Sequence, residues 1–233
     1  SCSSDPAPLP LVTTKSARCL VLDNDETLGS FALGSLLYAM YINLCDSPPP
    51  IDLFVEKYLR AGGGRPGSIS LLQTAAKMLR RGQLDHVVMF TAASNANGWV
   101  TFLRECMEVY AGVPAGTISH IIALEQCLTC DKTTGRVIKD LRRICTDTSN
   151  VVMVDDKPEY VEHGRVIKVP EYHRHVDIRS LVDQLPCPEK DRDMARRALA
   201  EDEALHGGKY SQSRKDNAMY EVTKVVASLF STP

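Results

Sequence analysis

At 233 residues, with 44% hydrophobic and 24% charged residues, the chain has the composition of a globular protein that buries one sizeable core, with room for an appendage. Its net charge of −2 argues against a general nucleic-acid or membrane-surface binder. The longest apolar stretch, Phe31 to Cys45, is interrupted by Gly34, Ser35 and Asn43 and falls short of the roughly 20 residues a membrane span needs.

Residues 1–17 are rich in Ser, Pro and Thr and read as a flexible lead-in without a signal peptide's basic start and apolar run. The expectation is a soluble intracellular protein. Cys19 to Leu22 has the apolar character of a buried strand, and Asp23, Asp25 and Thr27 follow at its C-terminal end. Positions i and i+2 of an extended segment face the same way, so both carboxylates can address one small space. Phe31 to Leu44 then reads as a buried helix stopped by Pro48, Pro49 and Pro50, and Ile51 to Arg60 as a second. Gly62 to Gly64 break the chain before Arg65, Pro66 and Gly67, where Arg65 reads as a turn-flanking surface residue. Ser68 suits the cap of a third helix running to about Arg81.

His86 to Phe90 is a second buried strand ending on Thr91, followed by a helix over Gly98 to Tyr110 that Trp99 and Tyr110 pack. Ile118 to Leu124 reads as a third strand, Arg136 to Ile144 as a helix, Asn150 to Val154 as a fourth strand ending on Asp155 and Asp156, and Arg165 to Val169 as a fifth. Beyond Pro186 and Pro188, Glu189 to Leu205 is a charged helix that Gly207 and Gly208 break. Lys215 to Phe230 is a last helix, with Val222, Val225, Val226, Leu229 and Phe230 at packing positions. The division is a flexible segment 1–17, a domain 18–186 with a helical insertion at about 30–85, and a helical extension 187–233. Strands alternating with helices predict a doubly wound parallel α/β sheet.

The eight cysteines are scattered and read as reduced core thiols. Cys127 and Cys130 form a lone CxxC without the second pair a zinc site needs. His163, His173 and His175 read as surface histidines.

In a parallel sheet Asp23 and Asp25, Thr91, and Asp155 with Asp156 all fall on one edge, where open α/β sheets bind ligands. Carboxylates this close do not all stay ionised without a cation, and hard oxygen donors favour Mg²⁺. A metal beside a nucleophilic carboxylate suits phosphoryl transfer, and a lysine would complete the set.

AspAsnAspGluThrLeu resembles the DxDx(T/V) signature of haloacid-dehalogenase-type (HAD) phosphatases. With ArgProGly at 65–67, MetPheThrAla at 89–92, GlyArgValIleLysAspLeu at 135–141 and ValMetValAspAsp at 152–156, the ordered set is similar to the FCP/SCP, or NLI-interacting-factor-like, phosphatases over about residues 18–186. That group dephosphorylates serines in the RNA polymerase II C-terminal repeat domain and other phosphoproteins. The resemblance implies a HAD-type Rossmann-like fold, capless or with a small helical insertion after the first strand, and C-terminal helices. It implies Asp23 as nucleophile, Asp25 as acid and base, and Thr91, Ala92 and Lys139 as phosphate ligands. Mg²⁺ would be held by Asp23, Asp155 and the Asp25 carbonyl, with Asp156 and Asn24 in support. Lys132 and Lys157 lie near enough in sequence to compete with Lys139, and Asp156 could instead cap the turn ending at Pro158.

Asn24 stands where the family has an apolar residue, and the β-rich insertion of SCP members is replaced by helices. The implied substrate is a phosphorylated macromolecule, a phosphoserine or phosphothreonine protein, met in the cytoplasm or nucleus. The alternatives are a nucleotide or polynucleotide-end phosphatase, and an inactive phosphate-recognition scaffold.

Overall fold

Cys19–Leu22 (β1) is buried along its whole length and forms the centre of the sheet. A computed structural model describes residues 9–126, 130–173, 178–210 and 216–231. After β1 come three helices, α1 (Phe31–Leu44), α2 (Ile51–Tyr58) and α3 (Ser68–Arg80). Strand β2 (His86–Phe90), α4 (Trp99–Ala111) and β3 (His120–Ile122) follow, then β4 (Lys139–Asp140), β5 (Val151–Asp155), β6 (Val161–Glu162) and β7 (Arg165–Lys168). The described chain closes with α5 (Ile178–Gln184), α6 (Glu189–Tyr210) and α7 (Ala218–Leu229).

Five strands form one parallel sheet in the order β3-β2-β1-β5-β7. Leu22 is in register with Met89 on one side and Val154 on the other. That register sets Asp23 level with Asp155 on the neighbouring strand, and Thr91 just past the end of β2. The convergence expected from the sequence is therefore a consequence of strand pairing.

Alternation along β1 sends Leu20 and Leu22 to one face and Cys19 and Val21 to the other. The first face carries the larger core, with Leu71, Leu72, Trp99, Leu103, Val182, Val222 and Val226 among its buried side chains. The second packs against Leu141, Ile144, Cys145, Ala17 and Val12. Leu11 and Thr13 donate backbone hydrogen bonds to Arg143 and Ile144, so the lead-in from there closes this face.

The insertion after β1 is helical, as its sequence suggests, and it is fused to the main core by an aromatic cluster. Phe54 lies 5.4 Å from Tyr38 and 5.8 Å from Trp99, centroid to centroid. Burying each such ring contributes about 1.5–3 kcal/mol. Gly34 makes this possible, because a Cβ there would stand 2.9 Å from the Trp99 ring.

Four local expectations are corrected. Residues 136–144 are not a helix: β4 pairs with β6, Val137 bridges to Cys130, and a 3₁₀ turn follows over Leu141–Arg143. Asp140 caps that turn by accepting the amide of Arg142. Helix α6 runs through Gly207 and Gly208 to Tyr210, since about 1 kcal/mol per interior glycine does not stop a helix of this length. The residue preceding α3 is Gly67, with φ +86°, while the Ser68 hydroxyl donates to the carbonyl of Leu28. On α7, Val225 is exposed and Met219 takes its place among the buried side chains. Among the described residues no helix is long and apolar enough to cross a membrane.

Candidate active site

The β1 strand ends in a tight loop that brings Asp23 and Asp25 to the lining of one pocket. Leu28 donates to the carbonyl of Asn24, Glu26 to that of Gly29, and Glu26 takes a left-handed φ of 57°. The amide of Asp23 still belongs to the sheet, donating to Val154 at 3.1 Å. Asp23 therefore has a fixed backbone, whereas Asp25 sits on the curved part of the loop.

Lys139 reaches this pocket from β4, in the separate two-stranded sheet with β6. Its Nζ donates to Asp23 Oδ1 at 2.5 Å and to Asp155 Oδ2 at 2.7 Å, and the side chain is buried. An ammonium buried alone would be costly. Burial opposes its charge, but Asp23 and Asp155 more than compensate and hold Lys139 above the ordinary lysine range. Asp23 is pushed upward by burial, pulled back by Lys139, and pushed again by Asp155. One lysine thus faces two carboxylates, Asp23 and Asp155.

The Asp25 carboxyl is pushed up to about 7, first by burial and then by Glu26, with Lys139 pulling the other way. Thr27 ties the elements together: its hydroxyl lies 3.0 Å from Asp23 Oδ2 and accepts the amide of Asp156 at 3.1 Å. Lys157 lies 3.2 Å from Asp156 Oδ2, 3.4 Å from Glu26 and 3.6 Å from Glu171.

Asp23, Asp25, Thr91, Ala92, Lys139, Asp155 and Asp156 all line one pocket of about 340 Å³. Oxygens of Asp23, Asp155 and Asp156 lie within 4.8 Å of one another, a spacing a metal ion could bridge, and all three side chains are buried. Asp25's carboxylate is outside that group. Asn24 is buried away from the pocket lining, and its Oδ1 has no hydrogen-bond partner among the described residues. Of the competing lysines, Lys132 is exposed and does not line the pocket, whereas Lys157 does.

The sequence reading missed Arg136 and Tyr160, which form the mouth of the pocket with the guanidinium carbon 5.1 Å from the ring centroid. Treating 136–144 as a helix hid Arg136, and Tyr160 lies in a 3₁₀ turn, Pro158–Tyr160, that no sequence motif marked. The sequence reading also misplaced Arg65, which is buried, not on the surface. Cys19, Cys45, Cys145 and Cys187 are free and buried, as expected, and Cys106 is free and half-buried. Cys130 is instead disulfide-bonded, while Cys127 and His175 lie outside the described residues.

Lys139 thus bridges the carboxylates at the ends of two adjacent parallel strands, in a pocket that Thr91 and Ala92 also line. The family model for NLI interacting factor-like phosphatases matches residues 18–198. The chain belongs to this family. It is therefore an FCP/SCP-type domain of the HAD superfamily, and its family indicates a phosphatase. No curated protein matches the chain. The match ends inside α6, so α7 lies beyond the family domain.

Proposed function

We propose that this NLI interacting factor-like phosphatase hydrolyses phosphomonoesters through an aspartyl-phosphate, and that its substrate is a phosphorylated serine or threonine on a protein. The observation that carries the reading is Lys139 held between Asp23 and Asp155 at the floor of the pocket. Such a lysine compensates the nucleophile's charge and presents a cation to an incoming phosphate.

An oxygen of Asp23 attacks phosphorus, and the bond from phosphorus to the leaving oxygen breaks as Asp25 delivers its proton to that oxygen. A carboxyl pushed to about 7 is well suited to carry that proton at neutral pH. Asp25, now ionised, takes a proton from water as the water attacks phosphorus. The bond to Asp23 then breaks and inorganic phosphate leaves. Thr91 and the main chain at Ala92, in the same pocket lining, would orient the phosphoryl oxygens. The hard oxygen donors of Asp23 and Asp155, with Asp156 beside them, fit Mg²⁺, which when bound offsets the repulsion between carboxylate and phosphate.

The macromolecular substrate is supported by the pocket lining, where Arg136 and Tyr160 offer cationic and aromatic surface to residues flanking a phosphate. Phosphopeptides, mononucleotides and 5′-phosphorylated DNA ends compared by kcat/KM test this reading. The expected result is preference for phosphopeptides and loss of turnover, on the order of a thousandfold or more, in Asp23→Asn. A preference for nucleotides or DNA ends would overturn the substrate class. Tight phosphopeptide binding with equal background rates in wild type and Asp23→Asn would make the protein a binding module.

A further inference from the structure

Arg65 is buried against the loop that carries Asp25, and its hydrogen bonds to that loop go to main-chain carbonyls. Its Nη1 donates to the carbonyl of Thr27 at 3.1 Å, with the carbonyl of Glu26 at 3.5 Å, and its own amide donates to Leu28 at 2.8 Å. The guanidinium carbon lies 5.4 Å from the Tyr172 ring centroid, and the amide of Tyr172 donates to the same Glu26 carbonyl at 2.8 Å. The strained left-handed residue, Glu26, is thus held from two sides.

The carboxylate partner of this buried cation comes from the far end of the chain. Arg65 Nε donates to Asp216 Oδ2 at 2.7 Å, with the arginine side chain fully buried and that of Asp216 nearly so. Asp216 also accepts the amide of Ala218 through its other oxygen, which seats it at the start of α7. The docking has a second, steric component. A Cβ on Gly67 would lie 2.9 Å from Met219 Cβ and 3.1 Å from the Tyr220 nitrogen, so α7 rests directly on the ArgProGly turn.

We propose that Arg65 and Asp216 form a positioning clamp that sets the Asp25 loop, making α7, beyond the family domain, a working part of the catalytic unit. Asp216 touches no reacting group in this scheme. It fixes the direction of Arg65, Arg65 fixes the carbonyls of Glu26 and Thr27, and these fix Asp25 and the Thr27 hydroxyl. Breaking a buried charge pair is strongly destabilising, and Arg65's hydrogen bonds to the Thr27 and Glu26 carbonyls carry that effect to the loop as well as to α7. The proposal rests on the phosphatase reading for its kinetic consequence but not for its structural one.

The test compares the full chain with Asp216→Asn, which keeps an acceptor for the Ala218 amide but loses the charge, and with Val222→Ala, which loosens α7 at a buried core position. Asp216→Ala and Asp216→Glu complete the set. Two readouts are taken below every variant's melting temperature: amide hydrogen exchange over residues 24–29, and kcat and KM for an aryl phosphate. The clamp predicts faster exchange in that loop for Asp216→Asn and Asp216→Ala but not for Val222→Ala. It also predicts a fall in kcat on the order of tenfold to a hundredfold with little change in KM, partly rescued in Asp216→Glu. Unchanged loop exchange in a folded Asp216→Asn, or equal effects in Val222→Ala, overturns the clamp. If wild type shows no turnover, the phosphatase reading fails, and the exchange result alone still decides the clamp. Should Asp216→Ala not fold, Asp216→Asn and Asp216→Glu carry the decision.

Discussion

The Thr27 hydroxyl lies 3.0 Å from Asp156 Oδ1, joining the loop after β1 to the end of β5 across 129 positions of sequence. The same hydroxyl is 3.0 Å from Asp23 Oδ2, and its single proton serves one carboxylate at a time. It also accepts the Asp156 amide.

Replacing Thr27 by valine keeps the volume and leaves that buried amide without its acceptor. A loss of about 1–3 kcal/mol is expected, visible as a lower melting temperature, together with weaker divalent-cation binding by calorimetry. Thr27→Ser retains the hydroxyl and should lose less than half as much. A loss in Thr27→Ser with none in Thr27→Val would mean that the methyl group, not the hydroxyl, matters here.

Lys139→Met removes the only cation within hydrogen-bond reach of Asp23 and Asp155 among the described residues. The two buried carboxylates then face each other uncompensated, and destabilisation of about 3–5 kcal/mol is expected near pH 8. The deficit should shrink as pH falls and Asp23, whose carboxyl burial already pushes upward, protonates. Thermal melts of wild type and variant between pH 5 and 8 check this, and a pH-independent difference would contradict it.

Asp25 supplies a pH dependence of its own. Burial, then Glu26, push its carboxyl up to about 7, whereas an aspartate in the unfolded chain titrates near about 3.9. Folding therefore takes up a proton between those values. The stability linked to Asp25 is fully present below about pH 4 and is lost as pH rises through about 7. In cation-free buffer, Asp25→Asn should melt close to wild type at pH 4 and roughly 5 °C or more above it at pH 8. Activity should move the other way, falling on the order of 10²–10⁴-fold in the same variant. Parallel melting curves across this range would show that Asp25 titrates normally.

The three close-set carboxylates predict that a divalent cation stabilises the fold. Adding Mg²⁺ should raise the wild-type melting temperature by an amount that grows with its concentration, and chelation should reverse it. Asp155→Asn should abolish most of the shift, because Asp155 contributes one of the clustered oxygens. A shift that survives in Asp155→Asn would place the cation elsewhere.

Much of this architecture is legible in the residues. The bounds of β1, α1 and β2 follow from short apolar runs and from helical spacing, each a property of one contiguous segment. The two aspartates at a strand end, and their partners at parallel strand ends, follow from periodicity and topology, because parallel strands must present their C-terminal ends on one edge. What local pattern misjudged depends on a distant partner. ArgValIleLysAspLeu satisfies a helix and a strand about equally, and its pairing with β6 chooses the strand, which is what turns Lys139 toward Asp23.

Arg65 shows the same limit more sharply. In sequence it flanks a Pro-Gly turn, where arginine is usually solvated. In the fold it is buried because Asp216, 151 positions later, brings a carboxylate to it. The sequence alone determined which chemical groups would meet at the sheet edge. Only the tertiary structure decided what holds them there, because the free energy of burying a charge is set by a counter-ion that sequence distance does not reveal.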